Sequence, residues 1–194
     1  MIKVKRKKHR RLCQGDILHD VEYVESVIED KGIIEVSKIV FPLVIVLSQD
    51  CDLEQDYRSR SSNQHEPSLQ DKWLLSVLVA PLYNLEHVLQ GEHLSELNYR
   101  MQQFNRKRTE GKYLVSNQRP RYHYLEFPSQ IPIPPSVIDF KHYFAANVLY
   151  LRRLKRSNFV CGVATPYRED IAQRFASFLA RIGLPAVRDT QTPD

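Results

Sequence analysis

Phe41-Pro-Leu-Val-Ile-Val-Leu-Ser48 passes directly into Gln-Asp-Cys-Asp-Leu-Glu-Gln-Asp56, and that junction limits the fold more than any other stretch. The six residues from Leu43 to Ser48 are mostly β-branched or aliphatic, the composition of a buried strand. Pro42 stands at the start, where a missing N–H does least harm, and a polar cluster closes the run. Beyond it come Asp50, Cys51, Asp52, Glu54 and Asp56. Carboxylates this dense repel one another unless a cation, a hydrogen-bond donor or open water balances them.

Three chemistries fit such a strand end. A nucleophile reading takes Cys51 with Asp52 and His123, ordered by Asp139. However, a thiolate needs cations or a helix N-terminus, and Asp50 and Asp52 supply negative charge instead. A metal reading takes Asp50, Asp52 and Asp56 as ligands of a divalent ion. No calcium-loop pattern is present, because the glycine and the distant glutamate are missing. The third reading is structural: a small buried thiol flanked by carboxylates that cap turns or pair with Arg58 and Arg60. No cofactor follows from it, and a divalent metal remains the alternative.

Cys13, Cys51 and Cys161 are widely spaced, odd in number and lack any C-x-x-C pair. A disulfide framework and a zinc knuckle are therefore unexpected, and a reducing, cytoplasmic setting fits. No two histidines stand at i, i+4. Charges interrupt every apolar stretch well short of the ~18 residues a membrane span needs, and the basic N-terminus lacks the apolar core of a signal peptide.

Charge is unevenly placed. Residues 1–12 carry +7 with no acid, against +5 for the whole chain, so the remainder nets −2. Residues 1–11 are expected to be a basic, disordered arm, with Lys5, Lys7, Lys8 and Arg10 available to phosphates. A second basic zone spans residues 99–121, where Arg106, Lys107, Arg108, Arg119 and Arg121 stand among Tyr99, Phe104, Tyr113 and Tyr122. Cations beside aromatics suit single-stranded nucleic acid. They equally suit a helix whose arginines snorkel around buried rings.

The remaining elements follow from pattern. Residues 21–28 and 33–40 read as strands joined at Asp30-Lys-Gly32, where glycine supplies the positive φ of a tight turn. Residues 54–72 read as a long mobile loop containing Ser62 and Asn63. Another strand covers residues 73–80. Asn84 can cap a helix over residues 85–97 that Gly91 weakens. Four prolines in residues 128–135 make a stiff connector. Further strand is expected within residues 137–151, then four cations in residues 152–156, then a short strand over residues 159–164. Thr165, Pro166, Glu169 and Asp170 open a C-terminal helix that Gly183 ends, with Leu184 closing back on the last turn. Ile171, Phe175, Phe178, Leu179 and Ile182 form its apolar stripe. Residues 189–194 are expected to fray.

Two resemblances add to this. Thr165-Pro-Tyr-Arg-Glu-Asp170 with the following Arg-Ile-Gly-Leu-Pro185, Ser48-Gln-Asp-Cys-Asp-Leu53 and Tyr122-His-Tyr-Leu125 resemble a family of uncharacterised bacterial proteins, over most of the chain. That likeness implies no activity. Residues 13–83, with Gly15-Asp-Ile-Leu18, a hairpin, Pro42-Leu-Val-Ile-Val-Leu-Ser48 and Leu78-Val-Ala-Pro-Leu82, are similar in order to the SH3-like barrel of PemK/MazF-type toxins, which cut RNA without a metal. Phe41 stands where that family has an arginine, and the later serine or threonine has no counterpart beyond Pro81. The resemblance thus implies barrel architecture without that cleavage chemistry.

The expectation is an α+β protein: a small, mostly antiparallel SH3-like barrel or bent sheet over residues 12–82, a helical and irregular insertion over residues 83–136, and C-terminal strands with an amphipathic helix over residues 137–185. A tail covers residues 186–194. Functionally, a non-catalytic binding or accessory protein of a bacterial system is expected, contacting nucleic acid or a protein partner and no membrane. The alternative is a toxin-like nuclease or hydrolase around Asp50, Cys51 and Asp52.

Overall fold

The apolar run lies at the centre of an antiparallel sheet. The computed structural model describes residues 1–61 and 67–181, and among these an α+β chain folds around a sheet curled into a half-barrel. Its strands are β1 (Val4–Lys5), β2 (Asp16–Asp30), β3 (Ile33–Val46), β4 (Ser76–Asn84), β5 (Tyr122–Leu125), β6 (Ser136–Asp139), β7 (Phe144–Asn147) and β8 (Phe159–Val163). The order across the sheet is β1-β8-β2-β3-β4-β6-β5, and β7 also pairs with β4. The helices are α1 (Asp50–Ser61), α2 (Leu85–Gln90), α3 (Thr109–Val115), α4 (Val148–Asn158) and α5 (Tyr167–Leu179).

Both faces of the sheet centre are covered, which explains an unbroken apolar run. Ile45 and Leu47 enter a core with Ile17, Ala80, Phe140, Cys161 and, from α5, Ile171 and Phe175. Val44 and Val46 point the other way, joining Leu18, Val21, Val77, Val79 and Leu151 of α4. A third cluster, with Tyr83, Val88, Phe104, Leu114 and Tyr122, lies under α2 and α3. Each buried aliphatic side chain contributes about 1.5–3 kcal/mol.

Several expectations are corrected. The N-terminus is not a disordered arm: Val4 and Lys5 pair with Val163 and Gly162, and Ile2 is buried in the α5-side core. Isolated apolar residues among cations gave no local sign of that pairing. Residues 33–46 form one strand, not two. The expected loop over residues 54–72 is α1 as far as Ser61, then a 3₁₀ turn over Pro67–Lys72; Ser62 and Asn63 lie outside the described residues. Asn84 caps α2 as expected, its Oδ1 accepting from Glu86 N, but Gly91 at φ 73° ends that helix rather than weakening its middle. The second basic zone is helical over α3 alone. Residues 148–151 open α4, capped by Asn147 Oδ1, which accepts from Leu149 N and Tyr150 N. Gly183, Leu184 and the tail over residues 186–194 lie outside the described residues.

The β2–β3 turn is built as its sequence implies, with Lys31 at φ 50° and Gly32 at φ 78°, the left-handed pair of a tight hairpin. The inner part of this hairpin is packed: Tyr23 and Phe41 rest on Phe144, with ring centroids 5.1 and 5.4 Å away. The outer part projects, and Val24, Val27, Ile28, Ile33, Ile34, Val36 and Val40 are between 47% and 66% exposed.

Candidate functional site

The acidic junction is an ion-pair corner. Asp50 and Asp52 sit in the first turn of α1, where carboxylates favour the helix dipole. Arg11 grips Asp50 through two 2.9 Å hydrogen bonds, Gln14 N donates to Oδ1 at 3.1 Å, and Arg168 lies 3.5 Å away. The Arg11 hydrogen bond holds the Asp50 carboxyl below the usual range, against partial burial. Asp56 is fully buried and accepts from Arg60 Nε at 2.7 Å, Leu74 N at 2.8 Å and Arg152 at 2.7 Å. It ties α1 to α4 and to the approach to β4.

This geometry answers the three chemistries. Asp50, Asp52 and Asp56 do not converge on one point, and among the described residues the group able to hold a metal ion lies elsewhere. Cys51 is exposed in the first turn of α1, not buried as the structural reading expected, and its Sγ lies 3.6 Å from Gln49 Oε1 and 3.5 Å from Asp52 Oδ1, with no cation among its hydrogen-bond partners in the described residues. His123 is not beside it. The ring is 3% exposed on β5, with Nε2 4.0 Å from Asp170 of α5. Burial first, and Arg174 second, push its pKa down to about 3, so it stays neutral. The structural reading of the acidic cluster, with arginine partners, is the one this geometry supports.

The second basic zone is largely committed inward. Phe104 and Tyr122 are core residues. Arg119 lies over the Phe104 ring at 4.6 Å, Arg106 pairs with Glu86 at 3.0 Å, and Arg121 makes a bidentate pair with buried Asp139 at 2.8 and 2.5 Å. Lys107 and Arg108 are exposed. Arginines snorkelling around buried rings describe this region better than a stacking platform.

The N-terminal cations instead meet a different set. Anchored by Ile2 and β1, the chain runs back along α4: Lys8 Nζ donates to the Arg156 carbonyl at 2.7 Å, and Lys155 Nζ donates to the Arg11 carbonyl at 2.6 Å. Lys155 also pairs with buried Asp16 at 2.6 Å. Between the two segments lies an open cleft of about 820 Å³, lined by Lys8, His9, Arg10, Arg152, Arg153 and Arg156, with Tyr57, Leu149 and the stem of Lys155. Ligand clefts commonly measure roughly 300–1,000 Å³.

Two kinds of cation line it. Arg152 is committed to Asp56 and lies 5.2 Å from the Tyr57 ring, and Lys155 is committed to Asp16. Arg10, Arg153 and Arg156 have no side-chain partner among the described residues. None of the lining residues is acidic. Lys8 and Arg10 were named from sequence. Lys5 and Lys7 continue the same exposed segment away from the cleft. The α4 arginines were visible as a charge run, but their role appears only once α4 is known to be a helix beginning at the Asn147 cap: positions 152, 153 and 156 then share one side while Val148, Leu151 and Lys155 are buried.

No family model matches the chain, and no curated protein matches it. Among the described residues, no helix is long and apolar enough to cross a membrane.

Proposed function

We propose that this chain is a non-catalytic binding protein that holds single-stranded nucleic acid against the cleft between its N-terminal segment and α4, as an accessory protein of a bacterial system. The carrying observation is the lining: three guanidinium groups without side-chain partners among the described residues, plus Lys8 and His9, and no carboxylate. Fixed cations free of internal pairs release phosphate counterions on binding, the main source of such affinity. Tyr57 and Leu149 give bases an apolar floor. A nuclease at Cys51 has less support, since the partners of the thiol are Gln49 and the Asp52 carboxylate and His123, the candidate base, is buried on β5.

The test is fluorescence anisotropy with a labelled single-stranded oligonucleotide and the triple variant Arg10→Gln, Arg153→Gln, Arg156→Gln. Binding at low salt is expected to weaken by about 10²-fold or more. Equal affinity of wild type and variant would sink the reading. Deleting residues 1–11 is the poorer test, because it also removes Ile2 and β1 from the fold.

A second reading rests on the hairpin, whose exposed valines and isoleucines suit a protein partner. Residues 20–40 carry six acids and two lysines, a net −4, so the remaining chain is +9. Charge complementarity selects a cationic surface with apolar residues, and the cleft wall of a second copy has that character. Light scattering over a concentration series is expected to show self-association that is lost when Ile28, Ile33 and Ile34 become threonine. A monomer at every concentration would rule it out.

A further inference from the structure

Away from the cleft, three side chains converge beside the α2–α3 cluster. His93, Asp139 and His142 each offer a donor atom, and these atoms all lie within 4.8 Å of one another. They come from the turn after α2, the end of β6 and the 3₁₀ turn Phe140–His142. Sequence spacing gave no sign of the grouping.

The carboxylate is held in place by donors that leave one position open. Asp139 Oδ1 accepts from Arg121 Nε at 2.8 Å and Lys141 N at 3.0 Å, whereas Oδ2 accepts from Arg121 alone, at 2.5 Å. Each carboxylate oxygen offers two lone-pair sites, so Oδ2 has one left. His142 Nδ1 lies 3.6 Å from that oxygen and 3.1 Å from the Tyr83 hydroxyl. Among the described residues neither ring nitrogen of His93 has a protein partner at hydrogen-bond geometry, although the His87 carbonyl is near enough to favour a ring proton. Two buried nitrogens without partners are costly as a purely structural arrangement. Burial keeps both histidines neutral at pH 7, the form in which imidazole ligates.

We propose that His93, His142 and Asp139 Oδ2 bind one divalent transition-metal ion of the zinc class, with the Tyr83 hydroxyl beside the open fourth position. Two imidazoles and one carboxylate suit zinc rather than magnesium or calcium, which take oxygen ligands. Tetrahedral bonds of ~2.0–2.1 Å place ligand atoms about 3.3 Å apart, so the three groups draw together by up to roughly 1.5 Å. His93 and His142 stand on turns that allow this. Arg121 and the Lys141 amide orient the carboxylate as outer partners orient metal ligands. Arg121 also offsets the carboxylate charge, so affinity rests mainly on the two imidazoles.

Chelator-treated full-length chain titrated with Zn²⁺ is expected to take up one equivalent, with at least tenfold weaker binding in His93→Gln and in His142→Gln and unchanged binding in Cys51→Ser. Co²⁺ in place of Zn²⁺ should give tetrahedral absorption bands without a thiolate charge-transfer band. Absence of saturable uptake, uptake indifferent to both histidine changes, or a thiolate band would each overturn the site. On the unaltered chain, Zn²⁺ should shift the imidazole NMR signals of His93 and His142 and leave those of His9, His19 and His123. Shifts confined to the latter three would also overturn it.

Discussion

The cleft beside α4 leaves charge unmatched, whereas the outer half of the β2–β3 hairpin leaves apolar surface uncovered. The cleft cations stand on a frame of buried ion pairs, Asp56 with Arg60 and Arg152, and Asp16 with Lys155. That frame uses some basic residues to fix the backbone and leaves Arg10, Arg153 and Arg156 at its rim, without side-chain partners among the described residues. The hairpin is supported on its inner part by Val21, Tyr23 and Phe41 and by the Glu22 amide, which donates to the Tyr150 hydroxyl at 2.9 Å, whereas its outer part is an isolated two-stranded ribbon, marginal in water. A rigid charged wall suits a ligand that arrives as a strand of phosphates. A projecting apolar ribbon suits a surface that closes over it.

The contrast can be broken at the frame first. Asp56→Ala strips the buried partner from Arg60 and Arg152 and is expected to cost about 3–5 kcal/mol of stability, measured by urea unfolding, with loss of the cleft. A cost below about 1 kcal/mol would mean that the wall does not depend on this carboxylate.

A pH series separates body from hairpin next. His123 has its pKa depressed to about 3 by burial, against about 6.5 unfolded. The unfolded chain therefore binds a proton that the native chain refuses. Stability is complete above about pH 6.5 and falls as pH drops toward 3, by at most about 1.4 kcal/mol per pH unit. Urea midpoints between pH 7 and 5.5 should fall in wild type and less in His123→Gln. No histidine lies in residues 20–40, so amide exchange there should not follow this trend. Parallel slopes in both proteins would contradict the assignment.

The smallest effect is expected at the hairpin itself. Ile33→Thr and Ile34→Thr should change stability by no more than about 0.5 kcal/mol, while Ile45→Ala, in the sheet centre, should cost about 2–5 kcal/mol. A large loss at Ile33 or Ile34 would show that the outer ribbon is already packed within the single chain.

What the sequence revealed depended on whether the forces were local. The buried strand, the Lys31-Gly32 turn, the Asn84 cap and the stripe of Ile171 and Phe175 are short-range patterns, and each appears in the fold. Helix α1 was hidden because its buried side is Leu53 and Asp56, a single aliphatic residue and a carboxylate. No apolar periodicity marks such a helix; ion pairs from Arg60 and Arg152 replace it. The start of α4 was hidden for the opposite reason, because Val148-Leu-Tyr-Leu151 reads as strand unless Asn147 is recognised as a cap. For the site, Lys8 and Arg10 were identifiable as cations, but their alignment with Arg153 and Arg156 depends on β1 pairing with β8, a contact between segments far apart in the chain. His93 and Asp139 meet through the same kind of distant packing.

Salt dependence of oligonucleotide binding tests the central claim most directly. Each phosphate neutralised on a single strand contributes about −0.7 to the slope of log K against log salt concentration. Arg10→Gln, Arg153→Gln, Arg156→Gln should therefore make the wild-type slope shallower by about 2. An identical slope in both proteins would show that the cleft between the N-terminal segment and α4 does not hold nucleic acid.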